Sequence, residues 1–460
     1  MFLTGRVGRK AGPSSAELTG LVCAASVVVY LALAVPTIAS IALAAAIAVV
    51  LAVGSLRSME WAWCVFFFAL CSNGVQVTVA GLSIRPEYFA TPLFLLALHA
   101  HVRRNPSARV GNSLGPGLVL GGVGLIAVGL ASSMVFALDP GASLRIAIQL
   151  LVALVAVVPL VTSALDLRFF VRSGTTILGF ICVVSIAAFV LDPSTRIDGL
   201  AFEYNIMGCL CFGWLGIVYY FAGTPAVTKH VLVKTIPITI ALILTSTRSA
   251  WIALVLLAVC VLFRCVKRYP TAVVSAVAAF TLVAFYLQDV YYRVGDEDTF
   301  LWRVVHVIDT QSGTGAYRVQ LWNNAIDQIA ARGWGASSFG TGLNTFSQFN
   351  PVDPTNTGPA YLSSMWLSLL YDVGFVGSAF FAVFAVALFL AARDKAHALP
   401  LFLGLAICTS VTSVIWFAFP WVFLALTATT PIRNAETHAR TPASHGSPRR
   451  RRRHRLAGSR

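Results

Sequence analysis

Apolar residues run along this chain in long unbroken stretches separated by short polar connections. Leu18 to Val35 and Thr37 to Val53 are the first two, and comparable runs recur as far as residue 429. Runs near ~20 residues suit an α-helix crossing ~30 Å of hydrocarbon. The short alternating segments of a membrane β-barrel do not occur. The pattern predicts spans over about 18–35, 37–54, 61–80, 88–102, 115–137, 145–163, 174–191, 202–222, 232–247, 249–263, 271–288 and 361–391, with a short final pair within 397–429. The expected fold class is an all-α polytopic membrane protein with about 12–14 transmembrane helices.

One connection departs from the rest. Residues 289–360 form a segment of 72 residues, whereas every other connection is short. Within it Phe300, Leu301, Val304, Val305 and Ile308 fall at helical spacing, as do Val319, Trp322, Ala325, Ile326 and Ile329, with Gly333 as a stop. Amphipathic helices of this kind lie on a membrane surface or roof a cavity, and loops longer than ~15 residues usually carry function. The chain therefore divides into an N-terminal segment (1–17), transmembrane helices (18–288), the large loop (289–360), C-terminal helices (361–429) and a Pro/Ser/Arg-rich tail (430–460).

Composition agrees: 58% of residues are hydrophobic and 11% charged, against about 25% charged in soluble domains. Charge also orients the spans. With the N-terminus inside, only Arg85, Arg145, Arg196, Arg248, Arg293, Arg303, Arg318 and Arg332 of the 33 Lys and Arg residues fall outside, while 13 of the 18 acidic residues do. Both termini and the basic tail, with its run Arg449–Arg453, are then cytoplasmic, and the large loop is extracytoplasmic. The net charge of +15 follows from this asymmetry and implies no nucleic-acid partner. Arg6, Arg9 and Lys10 precede the first run as in a signal peptide, but no small-residue cleavage site follows, so a retained first helix is expected. The nine cysteines lie in or beside spans, which implies no disulfide framework; Cys209 and Cys211 read as packing residues, for want of partners at ligand spacing.

The outer arginines carry the candidate chemistry. Arg248 sits in Thr245-Ser246-Thr247-Arg248-Ser249 between two apolar runs, Arg196 lies between Asp192 and Asp198, and Arg318 opens the second amphipathic helix. A guanidinium offers a rigid fork of donors to phosphate oxygens and keeps its charge where water is scarce. Snorkelling to headgroups, or pairing with a nearby acid, is the alternative for each. Glu203 and Asp372 are carboxylates at the membrane edge, where burial shifts proton affinity toward a useful range. Either is a candidate base or a structural partner of an arginine. Trp322, Trp334 and Trp366 could stack on sugar rings or anchor at the interface.

These residues fall in motifs that resemble the O-antigen ligase and O-antigen polymerase superfamily. Arg196-x-x-Gly199 followed by Asn205 looks like its Arg/Gly segment, with Tyr204 where the family has proline. Ser246-x-Arg248-Ser249-Ala250-Trp251 resembles its Ser-Arg-Gly turn. Arg318-x-x-x-Trp322 with Gly340-x-Gly342-x-x-x-Phe346 looks like its large-loop signature, and Asp372-x-Gly374-x-x-Gly377 resembles its Glu-x-Gly-x-x-Gly element. Ligases of this family carry a His-Asn pair where this chain has Ser363 and Ser364; His306 is the outer histidine and lies far upstream.

The resemblance implies a fold like the C-type glycosyltransferases and a metal-independent transfer at the outer face of a bacterial cytoplasmic membrane, without cofactor. The substrate implied is a glycan on polyprenyl pyrophosphate, with Arg196, Arg248 and Arg318 as the pyrophosphate clamp. Glu203 and Asp372 are the catalytic candidates, and Asn205, Trp322 and Ser363 candidates for holding acceptor or sugar. The bilayer, and a flippase or chain-length regulator, are the implied partners. Ser363 in the ligase histidine position favours a polymerase over a ligase that serves a lipid or protein acceptor. A polysaccharide or lipid transporter is the competing class; it predicts charges deep in several helices and an internal repeat.

Overall fold

The computed structural model describes residues 50–79, 82–111, 113–191, 197–266, 313–350 and 360–431, with single positions at 20 and between 270 and 286. The expected spans 18–35 and 37–54 fall almost wholly outside these residues, as does most of 271–288; the amphipathic run 300–308 lies outside entirely. Elsewhere the chain is helical nearly throughout. In order come α1 (Met59–Cys71), α2 (Pro86–Arg104), α3 (Gly115–Phe136), α4 (Pro140–Val155) with its continuation α5 (Val157–Val161), α6 (Leu167–Leu191), α7 (Tyr204–Tyr220), α8 (Lys229–Leu244) and α9 (Arg248–Cys265). The large loop supplies α10 (Gly313–Ala330), α11 (Trp334–Phe339) and α12 (Thr345–Phe349), before α13 (Met365–Ala391), α14 (Lys395–Val411) and α15 (Ala418–Ala428).

Four of these stretches are long and apolar enough to cross a membrane: α3, α4 with α5, α6 and α13. The apolar helices α1, α7, α14 and α15 are shorter. The protein is an all-α, multi-pass membrane protein. Helix starts follow local chemistry: Ser58, Asp139 and Asp394 each accept a hydrogen bond from the backbone N–H three residues on, and Pro140 and Pro86 occupy first-turn positions.

The expected span 61–80 is corrected. Its helix ends at Cys71, and β1 (Val77–Val79) pairs antiparallel with β2 (Leu82–Ile84) in a short hairpin. Asn73 Nδ2 donates to the Leu70 carbonyl at 3.0 Å and helps terminate the helix. Hydropathy alone cannot separate the β-branched run after it from a continued span. The expected span 145–163 begins earlier, at Pro140, and breaks at Ala156. That at 174–191 begins at Leu167 and takes Arg168 and Arg172 into the helix.

Packing relies on small residues and aromatics rather than on water exclusion, as it must between helices in lipid. α3 packs most extensively on α13. A Cβ on Gly121 of α3 would come within 2.6 Å of the Phe384 backbone nitrogen, so the two backbones approach as only glycine permits. The centre is aromatic. Trp63 stacks on Phe170 at 4.3 Å, while Phe67 meets Trp214 edge-on at 4.4 Å. Both indoles are buried yet satisfied, Trp63 Nε1 donating to the Phe170 carbonyl and Trp214 Nε1 to Thr175 Oγ1.

The described connections gather at two ends. At one, Val110 N donates to the Thr162 carbonyl, Tyr220 Oη to the Thr427 carbonyl, and β3 (Ala164–Leu165) pairs with β4 (Thr430–Pro431). Arg57, Arg103, Arg104, Arg109, Arg168, Arg172, Lys229, Lys234, Arg264, Arg393 and Lys395 belong to this end. At the other end lie Arg85, Arg145, Arg248, Arg318 and Arg332, together with α10 to α12.

Candidate functional site

The site is built at the end with fewer cations, from helix starts that sequence places far apart. Glu203 occupies the cap position of α7, and Asn205 Nδ2 donates to Glu203 Oε1 at 3.3 Å. Asn205 is buried. The turn between α8 and α9 is sharp, with Ser246 in the left-handed region at φ 54°, a conformation uncommon outside glycine. Thr247 Oγ1 donates to the Tyr204 carbonyl at 3.1 Å. That bond brings Arg248, the first residue of α9, beside the start of α7 that carries Glu203 and Asn205.

A third helix start joins them. Arg85 and Glu87 open α2, with Nη1 and Oε1 at 3.5 Å and both side chains nearly inaccessible. The Arg85 guanidinium lies 4.4 Å from the Phe417 ring centroid and 5.8 Å from that of Phe202, the residue before Glu203. Phe202 N donates to Asn73 Oδ1 and Gly74 N to the Leu200 carbonyl, so the hairpin end of α1 fixes the approach to α7. Arg85 Nε, Glu87 Oε2 and Tyr88 Oη are buried without a hydrogen-bond partner among the described residues. Such groups are rare in native structures, and each calls for a physical explanation. No motif singled out Arg85; the signal was its place among the eight cations that the charge count assigns to the outer side.

The large loop is bolted down by a clasp. Gly342 N donates to the Asp372 carbonyl at 2.8 Å and Thr341 N to the Tyr371 carbonyl at 3.2 Å. Gly340 has φ 78° and Gly374 φ 62°, and a Cβ on Gly340 would sit 2.2 Å from the Asp372 carbonyl oxygen. A Cβ on Gly374 would sit 2.4 Å from Gly340 N. Both positions thus require glycine for conformation and for space. Asp372 is buried, and its Oδ2 accepts the Asn344 N–H at 2.8 Å, at the start of α12. From the other side, Ser132 Oγ donates to the Phe339 carbonyl, Ser133 Oγ accepts from Leu343 N and Ser143 Oγ donates to the Leu343 carbonyl.

α10 closes over this clasp. Leu321, Ala325 and partly buried Trp322 and Ile329 pack with Phe346, Leu362 and Tyr371. Tyr371 Oη donates to Gln328 Oε1 at 2.6 Å, and Gln328 Nε2 donates to Asn350 Oδ1 at 2.7 Å. Arg318 lies one turn before Trp322 on the same face and is half-buried. Arg332, just past α10, donates from Nη1 to the Tyr371 carbonyl at 3.0 Å and lies 3.5 Å from the centroid of its ring. Arg332 is thus a second cation that no motif indicated. Trp322 Nε1 and Ser363 Oγ are buried atoms without hydrogen-bond partners among the described residues. Trp334 is exposed, and Trp366 donates to Ser410 Oγ at 3.1 Å.

Of the residues expected at the site, Glu203, Asn205 and Arg248 are brought together. Arg318, Trp322, Ser363 and Asp372 gather around the docked loop at the same end. Arg196 and His306 lie outside the described residues.

Residues 235–382 match the family model described as O-antigen ligase. Over this segment, about a third of its length, the chain is similar to that family. The match runs from within α8 through the first two thirds of α13. Within the matched segment lie Arg248, Arg318, Arg332, Ser363 and the whole glycine clasp, while Arg85, Glu203 and Asn205 are added by helices before it. A search of curated proteins finds no match.

Proposed function

We propose that this protein transfers a glycan from a polyprenyl pyrophosphate carrier to an acceptor hydroxyl at the outer face of a bacterial cytoplasmic membrane. The observation that carries the reading is the O-antigen ligase match over a segment whose Arg248, Arg318 and Arg332 share one end of the molecule with Glu203 and Asn205. In this reaction the acceptor oxygen attacks the anomeric carbon, the bond from that carbon to the phosphate oxygen breaks, and the pyrophosphate departs with the electron pair. Charge builds on the leaving group, so preorganised cations lower the barrier. Arg196, Arg248 and Arg318 are assigned to the pyrophosphate.

Glu203 is the candidate to receive the acceptor proton, with Asn205 orienting its carboxylate. Asp372 is assigned to holding the loop, because its carboxylate engages the α12 backbone. Trp322 and Ser363 stay assigned to sugar or acceptor. The serine at the ligase histidine position favours polymerisation; the description of the family model favours ligation, and this is the second reading. The cation asymmetry supports cytoplasmic termini and an outward site.

Charge-neutralising changes at Arg248 and Arg318 should abolish chain extension in a membrane assay with lipid-linked repeats. Wild-type extension by Arg248→Gln would sink the clamp. Glycans from a strain lacking the protein separate the two branches. Single repeats still attached indicate a polymerase, and long carrier-linked chains indicate a ligase.

A further inference from the structure

The end opposite the site holds a cavity of about 760 Å³, lined by the last turns of α2, the broken end of α4–α5 and the connector after α2. Its origin is local. The helix interrupts at Ala156, and Pro159 then lacks an N–H for the ladder. The connector is fixed rather than loose: Val110 N donates to the Thr162 carbonyl at 2.9 Å, and Arg109 bridges to Ser163.

The walls are apolar, with Leu95, Leu98 and Val102 from α2 facing Val158 from α5. Arg103 and Arg109 reach the same cavity from two different elements, and both are exposed. None of the described lining residues is acidic. The nearest acid in sequence, Asp166, is committed to capping α6, where its Oδ1 accepts from Arg168 N and Phe169 N.

We propose that this cavity binds an acidic phospholipid, with the headgroup phosphate between Arg103 and Arg109 and an acyl chain along Leu95, Leu98, Val102 and Val158. An amphiphile satisfies both halves of the cavity. A free anion would leave the apolar walls unmatched, and a zwitterionic lipid would gain less from the two guanidiniums. Basic pockets between transmembrane helices select anionic headgroups for this reason. The site is independent of the glycan-transfer reading and lies at the other end of the molecule.

The test is native mass spectrometry of the purified full-length protein with phosphatidylglycerol and phosphatidylcholine in equal amounts. The wild type should retain phosphatidylglycerol in preference by on the order of tenfold. Arg103→Gln/Arg109→Gln should lose the preference. Val102→Trp fills the cavity while keeping both cations, and should lose it too; Arg109→Gln alone serves if the double variant does not fold. Arg393→Gln/Lys395→Gln, at the same end but outside the cavity, should retain it. An unchanged preference in the cavity variants would show diffuse surface attraction and overturn the proposal. So would displacement of the lipid by inorganic phosphate, or selective retention of a polyprenyl phosphate over phosphatidylglycerol.

Discussion

Asp372 shows how much a single residue's role depends on its surroundings. Its carboxylate accepts a backbone N–H, as a side chain that pins a loop would. Asparagine can still accept that bond and alanine cannot. Asp372→Asn should therefore keep chain extension within about tenfold of wild type, a loss of roughly 1.4 kcal/mol, while Asp372→Ala loses most of it. Equal inactivity of the two would return Asp372 to the role of base. Arg85 and Glu87 set a second test. Arg85→Gln leaves the buried Glu87 carboxyl without its cation and should lower stability, and Arg85→Met/Glu87→Leu should recover much of the loss. Thermal unfolding in detergent measures both.

At the scale of elements, the large loop is held by α13 more than by its own helices. Its attachment depends on Gly340, Gly374 and the Tyr371–Gln328 bond. Alanine at Gly374 meets a left-handed backbone, worth about 1–2 kcal/mol, as well as the overlap with Gly340 N. Gly374→Ala should expose the loop to proteolysis while α1 to α9 remain resistant. Tyr371→Phe removes one hydrogen bond, about 1 kcal/mol, and should have the same effect in weaker form. The resemblance placed Gly340, Gly342, Gly374 and Gly377 in two separate motifs, one in the loop and one in the following span. The fold unites the first three, because the backbone at Gly340 and Gly342 packs against that at Asp372 to Gly374. That contact spans residues whose separation in sequence gives no hint of it.

For the whole molecule, the two ends differ in cations, and that difference predicts sidedness. A membrane-impermeant thiol reagent should label Gln320→Cys on α10 in intact cells and Arg104→Cys only after permeabilisation; the reverse pattern would invert the topology. The described native cysteines are buried, apart from the partly buried Cys260, and should contribute little background.

The sequence by itself determined the helical membrane fold, most described helix limits to within a few residues, and the unequal sharing of cations between the two ends, because hydropathy and charge are properties of residues in order. It also placed α10 through its 3.6-residue period. It missed the turn and hairpin after Cys71, since β-branched apolar residues read alike in strand and helix. Only the tertiary structure decided which helix starts meet. The Thr247–Tyr204 bond sets Arg248 beside Glu203, Phe202 and Phe417 flank Arg85, and Arg332 folds back onto Tyr371. Those meetings depend on side-chain geometry across helices, which no one-dimensional pattern encodes.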